Sequence, residues 1–154
     1  MNAMKLRWMR EADLDQVMAI AASLKDAPHW LRGAYLSALN RGAATRRIAL
    51  VAASLEEGTV LGFAVASLIL PQAELESIAV SAQEQRQGIG GKLISALRAE
   101  LKAKGVREVL LEVRASNQRA QQFYRSLGWF ESGRRARYYA DPEEDAVLMN
   151  LGLD

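Results

Sequence analysis

The chain has 154 residues, 50% hydrophobic and 25% charged, which is the size and composition of one ordinary globular domain, here taken as residues 1–154. Cysteine is absent and His29 is the sole histidine, which excludes Cys nucleophiles, disulfide frameworks and Cys/His zinc sites and leaves Asp, Glu, Tyr or Lys for proton transfer. The net charge of +2 hides an asymmetry: residues 83–139 hold 12 Lys and Arg against 5 Asp and Glu, a local +7 that leaves −5 elsewhere and suits an anionic ligand held by the middle and later chain.

No apolar run approaches the ~20 residues of a membrane span, and the first ten residues lack a signal-peptide core. The expectation is a soluble cytoplasmic protein with no membrane partner. Residues Lys5 to Met9 alternate as a short strand, with Leu6 and Trp8 on one side. Asp13, with Gln16 three residues on, reads as a capping box opening a helix through Leu14, Val17, Met18, Ala21 and Leu24. A weaker helical pattern (Leu31, Tyr35, Leu39) follows Pro28 and ends near Gly42. Arg47 to Ser54 and Val60 to Leu70 are β-rich runs joined by a hairpin connection at residues 55–59, and Leu75 to Val80 completes a three-stranded meander.

Gly88 to Lys104 is helical, with Ile89, Leu93, Ile94, Leu97 and Leu101 on one face and Gly105 at the C′ position. Val109 to Val113 is a short apolar strand. A helix from about Asn117 to Leu127 stops at Gly128, and strands Phe130 to Arg135 and Ala146 to Leu151 flank a turn at Asp141 and Pro142. The order β, α, α, β, β, β, α, β, α, β, β predicts an α/β or α+β domain with a mixed sheet.

Between the third meander strand and its helix lies Gln85, Arg86, Gln87, Gly88, Ile89, Gly90, Gly91, Lys92. A strand, a Gly-rich turn and a helix N-terminus bring unpaired N–H groups and the positive end of the helix dipole to one spot, which suits a phosphate or pyrophosphate. A Walker A loop would need Ser or Thr after its lysine, and a dinucleotide fingerprint would need a third glycine at 93; Leu93 fails both. A tight strand-to-helix connection alone would account for the same glycines.

Gln85-x-x-Gly88-x-Gly90 after Ile78-Ala79-Val80 resembles the acetyl-CoA pyrophosphate loop of the GNAT N-acetyltransferase superfamily. The segments Leu111 to Asn117, Phe123 to Trp129, Gly133 to Tyr139 and Glu144 to Ala146 resemble its RimI-like ribosomal-protein-alanine N-acetyltransferase branch. The likeness runs from about Ala73 to Leu151. It implies a GNAT fold with a mixed, mostly antiparallel sheet flanked by helices, and acetyl-CoA as cosubstrate without a metal. It further implies a protein N-terminal alanine as acceptor, that of a ribosomal protein. By the resemblance, the backbone of Ile78, Ala79 and Val80 pairs with pantetheine, on a strand splayed from its neighbour. Arg86, Gln87, Gly88, Ile89, Gly90 and Gly91 hold the pyrophosphate, and Asn117 contacts acetyl-CoA.

Acetyl transfer to an amine needs a neutral nucleophile and a protonated leaving group. Glu112 stands in an otherwise apolar strand on the same face as Leu110 and Arg114, where a carboxylate is costly unless paired or useful. An ion pair with Arg114 or Arg125 would explain it; the resemblance makes it the general base, acting directly or through water. Tyr124 lies on the helical stripe Ala120, Phe123, Tyr124, Leu127, where packing is the plain account and the resemblance implies a general acid. Asn117 is also a plausible N-cap.

Glu74 and Glu76 rival Glu112 as base, with exposure at a sheet edge as the plain alternative; the apolar setting of Glu112 favours it, because such surroundings raise a carboxyl pKa. Trp30 reads as core or as a wall of the acceptor groove, and the acidic turn at residues 141–145 as solvated or as a site for basic acceptor peptides. The expected assembly is a monomer or weak homodimer. Transfer to a small amine or a lysine side chain is the alternative activity, because a fold does not determine its acceptor. The pI near 9.1 suggests RNA, but interleaved aromatics and an RNP-like strand are missing, and coenzyme A phosphates account better for the +7 segment.

Overall fold

The computed structural model describes residues 3–153; Met1, Asn2 and Asp154, at the ends of the expected domain, lie outside them. Strands β1 (Met4–Trp8), β2 (Arg46–Ser54), β3 (Val60–Ile69), β4 (Gln72–Val80), β5 (Glu108–Arg114), β6 (Phe130–Tyr139) and β7 (Glu144–Gly152) form one sheet in the order β1-β2-β3-β4-β5-β7-β6. Helices α1 (Leu14–Ser23) and α2 (Arg32–Leu39) cover one face; α3 (Ile89–Ala103) and α4 (Gln118–Ser126) cover the other. All neighbours are antiparallel except β4 and β5, the mixed, mostly antiparallel arrangement expected.

The α3 stripe explains how that helix is held. Ile89, Leu93, Ile94, Leu97 and Leu101 are all buried against Leu50, Ala64 and Leu75 of the sheet cluster, each contributing about 1.5–3 kcal/mol of apolar burial. Gly105 takes φ +91 after α3, and Gly128 φ +97 after α4, the left-handed stop that both glycines predict. Tyr35, Leu14, Val17 and Phe63 anchor the opposite cluster. No helix among the described residues is long and apolar enough to cross a membrane.

The start of α1 departs from expectation. Asp13 ends a short 3₁₀ turn (Glu11–Asp13) and makes no side-chain cap for α1. Its carboxylate accepts from the Arg10 N–H and from both Arg7 guanidinium nitrogens, each at 2.8 Å. Gln16 turns to the hairpin, its Oε1 accepting the Val60 N–H at 2.9 Å. A half-buried cation within reach and an unpaired strand N–H outcompete the local cap, a competition that sequence spacing does not reveal. The strand expected to stop at Arg135 runs on to Tyr139 as the mostly exposed outer strand of the sheet.

Two features of β4 shape the surface beside it. Val65 pairs with Ser77 and Ala66 with Leu75, so Glu76 is the extra residue of a bulge, a device that re-aims side chains. Strands β4 and β5 pair only from Gln72 to Glu74 against Glu108 to Leu110. Beyond that point they part, giving the splay that the resemblance implies.

Candidate active site

The gap between the parted strands opens a cleft of about 860 Å³ lined by residues 75–80 of β4 and 111–114 of β5. Its floor continues to the glycine loop on one side and to the first turns of α4 on the other. A smaller cavity of about 330 Å³, between Trp8, the end of α2 and Arg41, Arg46 and Arg47, has no carboxylate or tyrosine in its wall and so lacks groups for amine chemistry at neutral pH.

Of the residues singled out from sequence, the cleft gathers Ile78, Ala79, Val80, Arg86, Gly88, Ile89, Gly90, Gly91, Glu112, Asn117 and Tyr124. Of the expected catalytic and cofactor-binding residues only Gln87 lies outside the lining, exposed; of the rival bases Glu76 lines the cleft and Glu74 does not. Gln85 ties the loop down through Nε2 donating to the Val80 carbonyl at 3.1 Å. Gly88 has φ +80 and Arg86 φ +68, so the loop turns through two left-handed residues directly before α3. A Cβ on Gly90 would stand 3.1 Å from the Phe123 ring, whereas one on Gly91 would meet nothing within 4 Å. Packing therefore explains glycine at 90 and leaves 91 unexplained by the protein itself. The loop offers helix-terminal N–H groups to an anion with the cations Arg86 and Lys92 beside them in sequence, so the residues present fit the phosphates of acetyl-CoA.

Tyr124 lines this cleft while packing against Phe123 and Trp129, with ring centroids 5.2 and 5.6 Å away. Burial pushes its hydroxyl far above the ordinary tyrosine range, so it is protonated throughout the neutral range. Asn117 caps α4, its Oδ1 accepting the Ala120 N–H at 3.0 Å, and also faces the cleft; both parts of its expected double role are geometrically compatible.

Glu112 lies on the opposite side of β5 from the buried Val109, Leu111 and Val113. Its partner is neither Arg114 nor Arg125: Arg135 Nη2 stands 3.6 Å from Oε1, while Arg114 pairs with Glu144 at 3.0 Å and Arg125 with Glu131 at 3.7 Å. The setting is thus polar, not the apolar pocket expected. The Tyr138 hydroxyl is held above its ordinary range, first by hydrogen bonding to Glu112 and then by the charge of that carboxylate. Tyr139 is raised as well, mainly by burial and then by Glu112.

β4 is an interior strand and Glu74 still pairs with Leu110 of β5, whereas Glu76 lies beyond the last β4–β5 pair, where the strand edge is free. Glu76 accepts from Arg47 Nε at 2.8 Å and Nη2 at 3.4 Å, and the Arg47 guanidinium sits 6.0 Å from the Trp30 ring centroid. The carboxyl that burial lifts is Glu74, with repulsion from Glu112 and Glu76 adding to the effect. The acidic turn is equally engaged: Glu143 pairs with Arg137 at 3.2 Å, Glu144 with Arg114, and Asp145 accepts the Arg137 N–H at 3.1 Å. That corrects the solvated reading for Glu144 and Asp145, whereas Asp141 and Glu143 remain exposed. Sequence reasoning also missed Arg47 and Arg135, whose partners lie 29 and 23 residues away, and Gln121, a buried residue whose Nε2 ties α4 to the Arg114 and Ala115 carbonyls.

Comparison with known proteins identifies the family and the fold. The profile of the acetyltransferase (GNAT) family matches residues 8–129. The ribosomal protein bS18-alanine N-acetyltransferase of Haemophilus ducreyi is 34% identical over 146 residues, 93% of this chain and 96% of that protein. Its counterpart in Escherichia coli K12 is 43% identical over 100 residues, 64% of this chain and 68% of that one. The crystal structure of the Escherichia coli ribosomal-protein-S18-alanine N-acetyltransferase matches with a TM-score of 0.80 at 33% identity, covering 99% of this chain and 95% of that one.

Proposed function

This chain belongs to the GNAT family of acetyltransferases, and on that premise we propose that it acetylates protein N-termini from acetyl-CoA by direct transfer. The acceptor we infer is an N-terminal alanine of a ribosomal protein, because relatives covering nearly the whole chain carry that specificity in their names. The observation that carries the mechanism is the parting of β4 and β5 beyond Glu74 and Leu110, with Glu112 and Tyr124 both lining the gap.

Acetyl-CoA, when bound, supplies a thioester carbonyl open to attack by an amine. The loop from Arg86 to Gly91 takes its phosphates, and the free edge of Ile78 to Val80 takes its amides in the manner of an added strand. Glu112 receives the proton that the acceptor ammonium must lose, directly or through water. As the new C–N bond forms and the C–S bond breaks, the Tyr124 hydroxyl gives its proton to the sulfur. No covalent acyl-enzyme is involved, in keeping with a chain that has no cysteine.

The test is a mass-spectrometric screen of the purified protein with acetyl-CoA against peptides beginning with Ala, peptides with an internal lysine and a blocked N-terminus, and polyamines. The reading requires transfer to the α-amine of the Ala peptides above the other classes. Preferred transfer to polyamines or blocked lysine peptides would instead identify the alternative GNAT activity, and no transfer with any acceptor would overturn both.

A further inference from the structure

We propose that Arg114 is a positioning residue for the acceptor, clamping the turn between β6 and β7 onto the end of β5 so that Tyr139 stands in the wall of the cleft. The clamp rests on the acceptor reading and accounts for how that side of the cleft is built. One guanidinium reaches the turn at four places. Its Nη1 donates to Glu144 Oε1 at 3.0 Å and to the Pro142 carbonyl at 3.3 Å, and Nη2 donates to the Ala140 carbonyl at 3.4 Å. Its centre also lies 4.4 Å from the Tyr139 ring centroid.

Glu144 completes the clamp from the other direction. Its carboxylate accepts the Ser116 N–H and the Ser116 hydroxyl, each at 3.0 Å, so the turn is bonded both to the last residue of β5 and to the loop that leads into α4. The hydrogen bond from Arg114, outweighing the cost of desolvation and aided by Ser116, holds the Glu144 carboxyl below its usual range, which keeps it ionised wherever the enzyme works. Strand pairing offers the turn less support, because the β6–β7 register breaks between Arg135 and Tyr139 and β6 is the outer strand.

Tyr139 lines the cleft beside Glu112, so an acceptor chain brought to Glu112 passes the surface that Arg114 supports. Lysine cannot replace this arrangement, since an ammonium has neither the planar fork for two carbonyls and a carboxylate nor the flat face for the ring. The expected signature is a loss in acceptor binding, with the chemistry and the acetyl-CoA side spared.

The experiment measures steady-state kinetics on the full chain with an Ala-first peptide, together with acetyl-CoA binding by calorimetry. It also follows backbone hydrogen exchange by mass spectrometry, for wild type, Arg114→Ala and Arg114→Lys. Arg114→Ala raises the peptide KM about tenfold, the equivalent of one lost charged hydrogen bond, with kcat and acetyl-CoA Kd within about twofold. Exchange quickens across residues 139–145 and stays unchanged in α3. Arg114→Lys, which retains the charge, falls between the two proteins. A wild-type KM and exchange pattern in Arg114→Ala overturns the proposal, as does full rescue by lysine or a loss confined to kcat. If the alanine variant does not fold, the lysine variant decides on the same terms. Failure of the wild type to acetylate any Ala peptide overturns the acceptor reading instead, and the exchange comparison then judges the clamp by itself.

Discussion

Along the β4–α3 wall of the cleft the groups available to a ligand belong to the main chain: the edge of Ile78 to Val80, freed where β5 departs, and the helix-terminal N–H groups after Gly88. The facing β5 side presents side chains held in ion pairs, Arg114 with Glu144 at 3.0 Å and Arg135 with Glu112 at 3.6 Å. A backbone wall needs small residues and a register, and it suits a ligand whose length and phosphates do not vary. A wall of paired charges can be retuned one residue at a time, which suits the side to which we assign the acceptor.

The largest expected effect falls where the two walls meet. Glu112→Gln lowers kcat for acetyl transfer by about 10²–10⁴-fold while calorimetric binding of acetyl-CoA is unchanged; if Glu76→Gln does the damage and Glu112→Gln does not, the base is on β4. Tyr124→Phe follows, with a loss of about 10²-fold in kcat. Because burial raises the Tyr124 hydroxyl, it remains a donor as pH increases. The wild-type rate therefore shows no fall assignable to Tyr124 up to at least about pH 10, the ordinary tyrosine range. A Tyr124→Phe enzyme of normal rate would remove the acid from the mechanism.

Gly91→Ala sharpens the contrast most cleanly. The new methyl meets no protein atom within 4 Å and replaces glycine inside a helix, so thermal unfolding should show a gain of about 0.5–1 kcal/mol. On the proposed binding mode acetyl-CoA binding should weaken at the same time, because the methyl would intrude on the space assigned to the phosphates. Stabilisation with unchanged binding would mean that the loop is only a connection.

The smallest effect on activity is expected at Asp13, outside both walls. Burial pushes its carboxyl up, but Arg7 and the Arg10 N–H outweigh this and hold it below the usual range. A depressed folded pKa means stability present above the unfolded value near 3.9 and lost as pH falls through the folded one. Asp13→Asn should cost about 2 kcal/mol at pH 7, flatten the acid limb of the melting curve below about pH 4, and leave kcat/KM unchanged.

The two walls are not equally legible in the sequence. The glycine loop, the α3 stripe, the Asn117 cap and the stops at Gly105 and Gly128 depend on residues within a turn or two of each other, so spacing alone carries them. Glu112 stands out as a carboxylate among apolar neighbours, yet its partner Arg135 comes from a strand that the pattern ends at that residue. The acidic turn looks solvated because Glu144 finds its cation, Arg114, only once β5 and β7 lie side by side. Asp13 misleads for the same reason: a local cap is plausible in sequence, and in the fold Arg7 takes its carboxylate.

Element order, the glycine-rich strand-to-helix loop and the absence of any acyl-cysteine route follow from the amino-acid sequence by itself, because each rests on residue type and short-range periodicity. The parting of β4 and β5, the bulge at Glu76 and the choice of Arg135 for Glu112 and Arg114 for Glu144 belong to the tertiary structure. Those features depend on which strands become neighbours and where their hydrogen bonding stops, and contacts between residues 23 to 30 positions apart leave no trace in local pattern.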